Sequence, residues 1–213
     1  MTALIMKDEA ADLLRKGISE LGISFTEKQI ESFCVYLTEL KKWNKVYNLT
    51  SLISDRDIVI KHFLDSLLFI KAFPAGILTV ADIGSGAGFP GIPIKIALPD
   101  LKVVLIEPTK KKETFLTHIR NRLGLADLEI IAERIEDISG LKVDVALTRA
   151  LFSVGEFIEK TRGMLNEKGV LILNKGPKLD EELKGLDRKN ISVTDFKLPF
   201  ENVIRHLVVV KKI

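Results

Sequence analysis

Glycines stand at the alternate positions 84, 86 and 88, directly after the apolar run of residues 78–83, and an acid, Glu107, ends the next such run. An apolar run broken by a glycine turn reads as a strand leaving the carboxyl edge of an open α/β sheet, where such sheets bind ligands. Glycine there permits a tight turn and lets bare backbone approach a ligand. A carboxylate ending the neighbouring strand can accept hydrogen bonds from both hydroxyls of a ribose. The pattern suits a nucleoside. A purely structural turn, with Glu107 capping the next helix, uses the same residues and stays open at this point.

Two kinds of nucleoside ligand compete for the turn. Gly86-Ala87-Gly88-Phe89-Pro90-Gly91 satisfies the dinucleotide fingerprint G-x-G-x-x-G, with Glu107 near the expected distance. Against a nicotinamide or flavin site, Pro90 and Pro93 stand where the phosphate-binding helix should begin and remove backbone donors that a pyrophosphate needs. S-Adenosylmethionine carries no phosphate and loses little there.

The elements that must hold these groups follow from periodicity and breakers. Thr26 and Gln29 make a capping box ahead of Ile30, Phe33, Cys34, Leu37 and Leu40, which recur at helical spacing. A second helix starts after Ser54 and Asp55 and runs to residue 73, where Pro74 stops it. Residues 43–50 between them read as an irregular polar and aromatic stretch. From residue 77 strands (78–83, 102–106, 128–132, 143–148, 170–173) alternate with helices (92–98, 110–123, 153–165, 180–186). Residues 191–198 and 203–211 are strands joined too closely for a parallel crossover, which forces an antiparallel pair. The expected fold is α/β, and the antiparallel tail suits a class I S-adenosylmethionine-dependent methyltransferase (Rossmann-like) fold better than a dinucleotide domain. It has a mainly parallel seven-stranded sheet, an antiparallel C-terminal hairpin and an N-terminal helical cap. The cap covers residues 1–76 and the cofactor-binding core residues 77–213, in one compact unit.

Bulk properties narrow the class. At 213 residues and 46% apolar, the chain can bury a substantial core. Its single cysteine, Cys34, excludes an intramolecular disulfide, fits a reducing cytosol, and sits in an apolar helical stripe as a core residue. Residues 1–17 lack the basic start and unbroken apolar stretch of a signal peptide, and no run approaches the roughly 18 apolar residues of a membrane span. A cytoplasmic protein is expected. The net charge of +3 and pI of about 8.8 permit an anionic partner without demanding one. His62, His118 and His206 are scattered, so no metal site is expected, and His62 reads as a buried, hydrogen-bonded residue. Trp43 and Tyr47 read as packing between cap and core, with base stacking as the alternative.

The stretch Asp82-Ile83-Gly84-Ser85-Gly86-Ala87-Gly88-Phe89-Pro90-Gly91-Ile92-Pro93 resembles the cofactor motif of the small-subunit ribosomal RNA guanine-N7 methyltransferases, also called glucose-inhibited division protein B. The Phe-Pro-Gly-x-Pro continuation is far more specific than the glycines. Further matches run along nearly the whole chain. They include Trp43-Asn44, Asn48-Leu49-Thr50, His62-Phe63-Leu64-Asp65-Ser66-Leu67, Glu107-Pro108, Lys111-Lys112, Arg134-x-Glu136, Thr148-Arg149-Ala150, Asn174-Lys175-Gly176 and Arg205-His206-Leu207-Val208-Val209. Ile135 departs from the smaller residues common at its position.

The resemblance implies methyl transfer from S-adenosylmethionine to N7 of one guanine in 16S rRNA. The partner would be 16S rRNA or the small ribosomal subunit, with no membrane or metal involved, and the chain is expected as a monomer. It implies cofactor contacts at Gly84, Phe89, Ile135, Glu136 and Arg149, with Glu107 and Pro108 around the ribose and adenine. Asp82, Ser85, Gly86 and Gly88 of the turn complete that set. No catalytic acid or base is assigned, because guanine N7 carries a free lone pair and needs no general base. Basic residues near the carboxyl ends of the strands are the candidate RNA contacts: Lys110, Lys111, Lys112, Arg149, Lys175 and Arg205, extended by a Lys211-Lys212 tail. For the lysines an ordinary solvated charge is the competing reading, and for Arg149 a structural ion pair. On this division a Lys175→Ala change weakens RNA binding more than cofactor binding. A non-catalytic RNA-binding or ribosome-assembly module, or a methyltransferase for another substrate, is the alternative function.

Overall fold

The computed structural model describes residues 2–149, 151–177 and 179–211, with side chains from Glu9 onward; Ala150 and Lys212 lie outside the described residues. The strands are β1 (Thr79–Ile83), β2 (Lys102–Ile106), β3 (Leu128–Ile131), β4 (Val143–Arg149), β5 (Leu165–Lys175), β6 (Ile191–Lys197) and β7 (Ile204–Lys211). They form one sheet in the order β3-β2-β1-β4-β5-β7-β6. The first five pair in parallel, and β7 runs antiparallel between β5 and β6. The strand order reverses between β1 and β4, which sets the ligand crevice of such sheets beyond Ile83 and Arg149. Val103, Val104, Leu105 and Ile106 are all buried, as expected for a strand covered on both faces.

The helices are α1 (Thr2–Glu20), α2 (Glu27–Tyr47), α3 (Asp55–Ile58), α4 (Asp65–Leu67), α5 (Gly91–Ala97), α6 (Lys110–Leu123), α7 (Val154–Thr161) and α8 (Leu179–Glu182). The Thr26–Gln29 capping box starts α2, and the Gln29 side-chain amide also donates to the carbonyls of Ile96 (2.9 Å) and Ala97 (3.1 Å) at the end of α5. One buried cluster contains Phe33, Tyr36 and Leu40 of α2 together with Val103 and Leu105 of β2 and Phe115 of α6. A second core, on the other face, is built around Ala81, Ile106, Leu171 and Phe157.

Several boundaries differ from the sequence expectation. Helix α2 continues through Trp43 to Tyr47 and ends on Asn48 in the left-handed region (φ 50°). No breaker interrupts residues 43–47, and Trp43 extends the apolar stripe onto α6, packing on Phe115 and His118. The helix over 55–73 is not uniform: α3 leads into a π-helical turn (Val59–Leu64), then α4, then a 3₁₀ segment (Leu68–Ala72). The helix over 153–165 stops at Thr161 with one 3₁₀ turn after it, and β5 begins at Leu165.

Candidate functional site

The glycine turn leaves β1 as a compact, internally bonded loop. The amides of Gly84 and Ser85 donate to the carbonyl of Ile106 (2.9 and 3.1 Å), while those of Gly88 and Phe89 donate to the carbonyl of Ser85 (both 2.8 Å). Gly88 has φ 98°, and a Cβ on it would fall 2.4 Å from Ile92 Cδ1 and 2.9 Å from the Tyr36 hydroxyl, so only glycine fits. Gly91 is excluded from substitution by closeness alone, since its Cβ would meet Leu105 and Asp82. Glu107 is buried behind the turn: Oε2 accepts from the Gly86 amide (2.9 Å), Oε1 from the Thr109 amide (3.0 Å), and Lys112 Nζ lies 3.5 Å from Oε2. A carboxylate oxygen accepts more than one hydrogen bond, so Glu107 holds the turn and keeps acceptor capacity.

Asp82 and Ser85 are the unsettled members. Asp82 is fully buried, and its Oδ2 accepts from the Gly91 amide at 2.7 Å; its Oδ1 and the buried Ser85 Oγ have no hydrogen-bond partner. Burial pushes the Asp82 carboxyl up to about 7, against the pull of the Gly91 amide and of Arg149. Two unpartnered oxygens beside a glycine turn fit a ligand that brings donors. A pyrophosphate would find the wrong chemistry here. At the start of α5 the Gly91 amide is spent on Asp82 and the Ile92 amide on the Gly88 carbonyl (2.8 Å), and Pro90 and Pro93 have none.

The N-terminal helices grip the turn from the other side. The Tyr36 hydroxyl donates to the Ala87 carbonyl (2.5 Å), and burial pushes the phenol well above its usual range. Phe89 is stacked between the Tyr36 ring (5.3 Å) and the His62 ring (4.2 Å, 13° between planes). His62 lies in the π-helical turn. Arg149 Nη2 donates to His62 Nδ1 (2.9 Å), so the ring carries its proton on Nε2 and donates it to Thr50 Oγ1 (2.7 Å). Burial, reinforced by the Arg149 charge, lowers His62 to about 3.

Asp65 ties the strand ends to those helices. Its Oδ1 accepts from Arg205 Nε (2.6 Å) and Asn174 Nδ2 (3.3 Å), and its Oδ2 faces Arg149 Nη1 at 3.4 Å. Arg149 Nη1 also donates to the Lys61 carbonyl (3.0 Å), and its guanidinium lies 5.4 Å from the Phe89 centroid. Arg149 and Arg205 thus stand in a structural ion-pair network.

The other expected residues fall on the same carboxyl edge, except Lys211, which ends the antiparallel β7 opposite Val170 on the far edge of the sheet. Pro108 is exposed beside Glu107, whose amide donates to the Ile131 carbonyl (3.1 Å) and links the loops after β2 and β3. Ile135 is buried in a 3₁₀ turn after β3, and Glu136 next to it pairs with Lys160, which lowers its carboxyl. Lys110 and Lys111 are exposed at the start of α6; Lys110 pairs with Glu113 (2.8 Å) and Lys111 donates to the Tyr47 carbonyl (2.9 Å). Lys175 is buried against Glu182 (2.7 Å) and the Phe152 carbonyl. That placement shows a buried ion pair where a phosphate contact was expected, because the last residue of β5 points into α8. Trp43 stacks on Tyr47 and packs on Phe115 and His118, which is the cap-to-core packing expected of it.

Sequence reasoning missed Tyr36, Asp65 and Asn174. Tyr36 hides in the apolar stripe of α2, where a hydroxyl among Phe33, Leu37 and Leu40 signals a buried partner. Asp65 is an acid in a run, 63–69, that is apolar but for it and Ser66, and such an acid demands a cation. Among the described residues no group of three or more His, Cys, Asp or Glu is placed to hold a metal ion, and no helix is long and apolar enough to cross a membrane.

Comparison with known proteins places the chain. Residues 29–208 match the model of the family described as GidB, rRNA small subunit methyltransferase G. Proteins named ribosomal RNA small subunit methyltransferase G are similar over nearly the whole length. The one from Thermoanaerobacter pseudethanolicus is 36% identical over 224 residues (98% of this chain, 92% of the relative). The one from Neisseria meningitidis is 33% identical over 206 residues (96% and 99%). Among solved structures, a methyltransferase from Geobacter sulfurreducens superposes with a TM-score of 0.61 at 16% identity, covering 83% of this chain and 90% of that one. A SAM-dependent methyltransferase from Aquifex aeolicus gives 0.52 at 19% identity, covering 74% and 93%. The fold is thus the Rossmann-like methyltransferase fold, and by the family match and the full-length relatives this chain belongs to the rRNA small subunit methyltransferase G family.

Proposed function

We propose that this chain methylates N7 of one guanine in 16S rRNA, with S-adenosylmethionine as methyl donor. The observation that carries the reading is the family match over residues 29–208, joined to a glycine turn whose orphaned oxygens suit a donor-bearing nucleoside. Asp82, Gly84, Ser85, Gly86, Gly88 and Phe89 of the turn would hold the cofactor. Glu107 and Pro108 would take its ribose and adenine side, with Ile135, Glu136 and Arg149 completing the wall. Bound there, S-adenosylmethionine supplies an electrophilic sulfonium methyl group.

The chain's own part is positioning. Glu107 fixes the turn through the Gly86 amide, and Tyr36 and His62 clamp Ala87 and Phe89 from behind. Guanine N7 is unprotonated at neutral pH, so no side chain has to remove a proton, and alignment of methyl group and lone pair is the main contribution. The helical cap of residues 1–76 acts on the core of residues 77–213 through that clamp, in one unit. Of the basic residues near the strand ends, Lys110 and Lys111 are the ones exposed to a polyanion. The enzyme works in the cytosol, as a monomer, on 16S rRNA or the small subunit.

The test is methyl transfer from labelled S-adenosylmethionine to small subunits from a strain lacking this modification, with mass-spectrometric mapping of the rRNA. A single new 7-methylguanosine in 16S rRNA is expected. Label found only in protein or small molecules, or no transfer at all, would overturn the reading.

A further inference from the structure

Helix α2 meets α6 antiparallel: Glu39 pairs with His118 (2.8 Å), Trp43 packs on Phe115 (5.6 Å between centroids), and the Tyr47 carbonyl accepts from Lys111 Nζ. The end of α2 and the start of α6 therefore lie side by side, on the sheet edge that carries the glycine turn. Lys42 and Lys45 are exposed on α2, and Lys110 and Lys111 on α6, Lys110 with a side chain 85% exposed. At the end of α2, Val46 is 71% and Tyr47 40% exposed. The Tyr47 ring stacks on Trp43 (5.4 Å), which itself is wedged on α6, so the phenol is presented on a fixed base.

The carboxylates nearby are already engaged. Glu39 is held by His118 and Asp55 by Lys41, Glu107 is buried behind the turn, and Glu113 offsets Lys110 alone, which leaves Lys42, Lys45 and Lys111 as the excess. The surface keeps a positive excess. Three consecutive lysines at the first turn of α6 also oppose the helix dipole, which favours acids there. A local rule broken in this way points to a binding role for the cations. A positive ridge with an upright aromatic matches single-stranded or looped RNA, in which phosphates meet lysines and an unstacked base lies on an aromatic ring. A protein partner is the weaker match, since a net excess of three cations beside two apolar side chains demands a dense run of acids.

We propose that Lys42, Lys45, Val46, Tyr47, Lys110 and Lys111 form the docking ridge for the rRNA substrate, so that the N-terminal helix supplies half of the RNA surface. The inference rests on the proposed rRNA activity and adds where the RNA lies. Lys45 also lines a cleft of about 400 Å³ with Thr50, Leu52 and Ile53, which gives the strand a groove beside the ridge.

The test measures binding of unmodified 16S rRNA over a salt series, S-adenosylmethionine affinity and methyl transfer, for four proteins. These are the wild type, a quadruple variant (K42A, K45A, K110A, K111A), Tyr47→Ala, and a control (K102A, K168A) on the opposite sheet edge. The quadruple variant should bind RNA at least about 30-fold more weakly near 0.1 M salt. Its slope of log affinity against log salt should be shallower by about 3, from roughly 0.7–0.9 per phosphate lost. Tyr47→Ala should lose about tenfold with the slope unchanged. The control should match the wild type, and cofactor affinity should stay within about twofold throughout. A wild type that methylates rRNA, together with ridge variants that bind with its affinity and slope, overturns the ridge alone. Salt-dependent RNA binding lost in the quadruple variant, but no methyl transfer by any protein, supports the ridge and overturns the activity. A wild type that binds no RNA overturns both.

Discussion

Asp65 and Asp82 are both buried carboxylates, and their surroundings differ in kind. Asp65 is met by Arg205, Asn174 and Arg149, so both its oxygens are occupied. Asp82 has one backbone amide on one oxygen and nothing on the other, with the orphaned Ser85 hydroxyl in the same turn. A satisfied buried charge fixes architecture, and an unsatisfied one is a standing cost that a ligand can remove. The two aspartates therefore divide the charges of the site into those that hold it and those that bind.

The sharpest way to break the distinction is Asp65→Ala. It strands Arg149 and Arg205 at partly buried positions, and should destabilise by about 3 kcal/mol, lowering the melting temperature by roughly 6–12 °C in a calorimetric scan. A loss under about 1 kcal/mol would remove Asp65 from the architectural class. Next in size, Glu107→Ala releases the Gly86 and Thr109 amides, and titration calorimetry should show S-adenosylmethionine binding weakened by about 30-fold, near 2 kcal/mol. Binding of 16S rRNA should stay near wild type in that variant. Equal losses of both affinities would mean that Glu107 serves the whole fold.

Asp82 gives a pH signature of about tenfold. Its folded value of about 7 lies above the ordinary 3.8, so the native state holds a proton that the unfolded chain has released. The group lowers stability as pH rises from about 4 to about 7, and the penalty is complete above that. A ligand that satisfies the charged form should bind roughly tenfold better at pH 8 than at pH 6. Asp82→Asn should flatten both dependences while weakening binding. A variant with wild-type pH profiles would show that Asp82 does not face the ligand. The smallest effect is expected for Tyr36→Phe, which leaves the buried Ala87 carbonyl without its donor and should cost about 1 kcal/mol in a urea melt.

The turn, the strand and helix alternation and the antiparallel tail were readable because each rests on local chemistry: glycine spacing, apolar runs and a connection too short to cross over. The site's support was not. Asp65 and Arg205 lie 140 positions apart, and nothing local to either names the other. Lys175 and Arg149 carried the right position, at strand ends, but their charges turn inward to Glu182 and Asp65, and charge type alone cannot report direction. The continuation of α2 to Tyr47 was hidden for a related reason. Its last two turns carry no continuous apolar stripe of their own, and the aromatic packing that holds them is completed by α6.

The position of β7 between β5 and β6 bears on when the molecule becomes competent. The contact that β7 completes, Arg205 to Asp65 across 140 positions, must close a large loop before it returns any energy, and such contacts form late. Until β7 is seated, Arg205 is absent from Asp65, and a bare carboxylate resists the burial that brings the π-helical turn and His62 onto Phe89. The clamp on the glycine turn is thus among the last parts of the chain to assemble. Half-folded chains are poor competitors for the methyl donor, and ligand binding reports completion of the whole sheet.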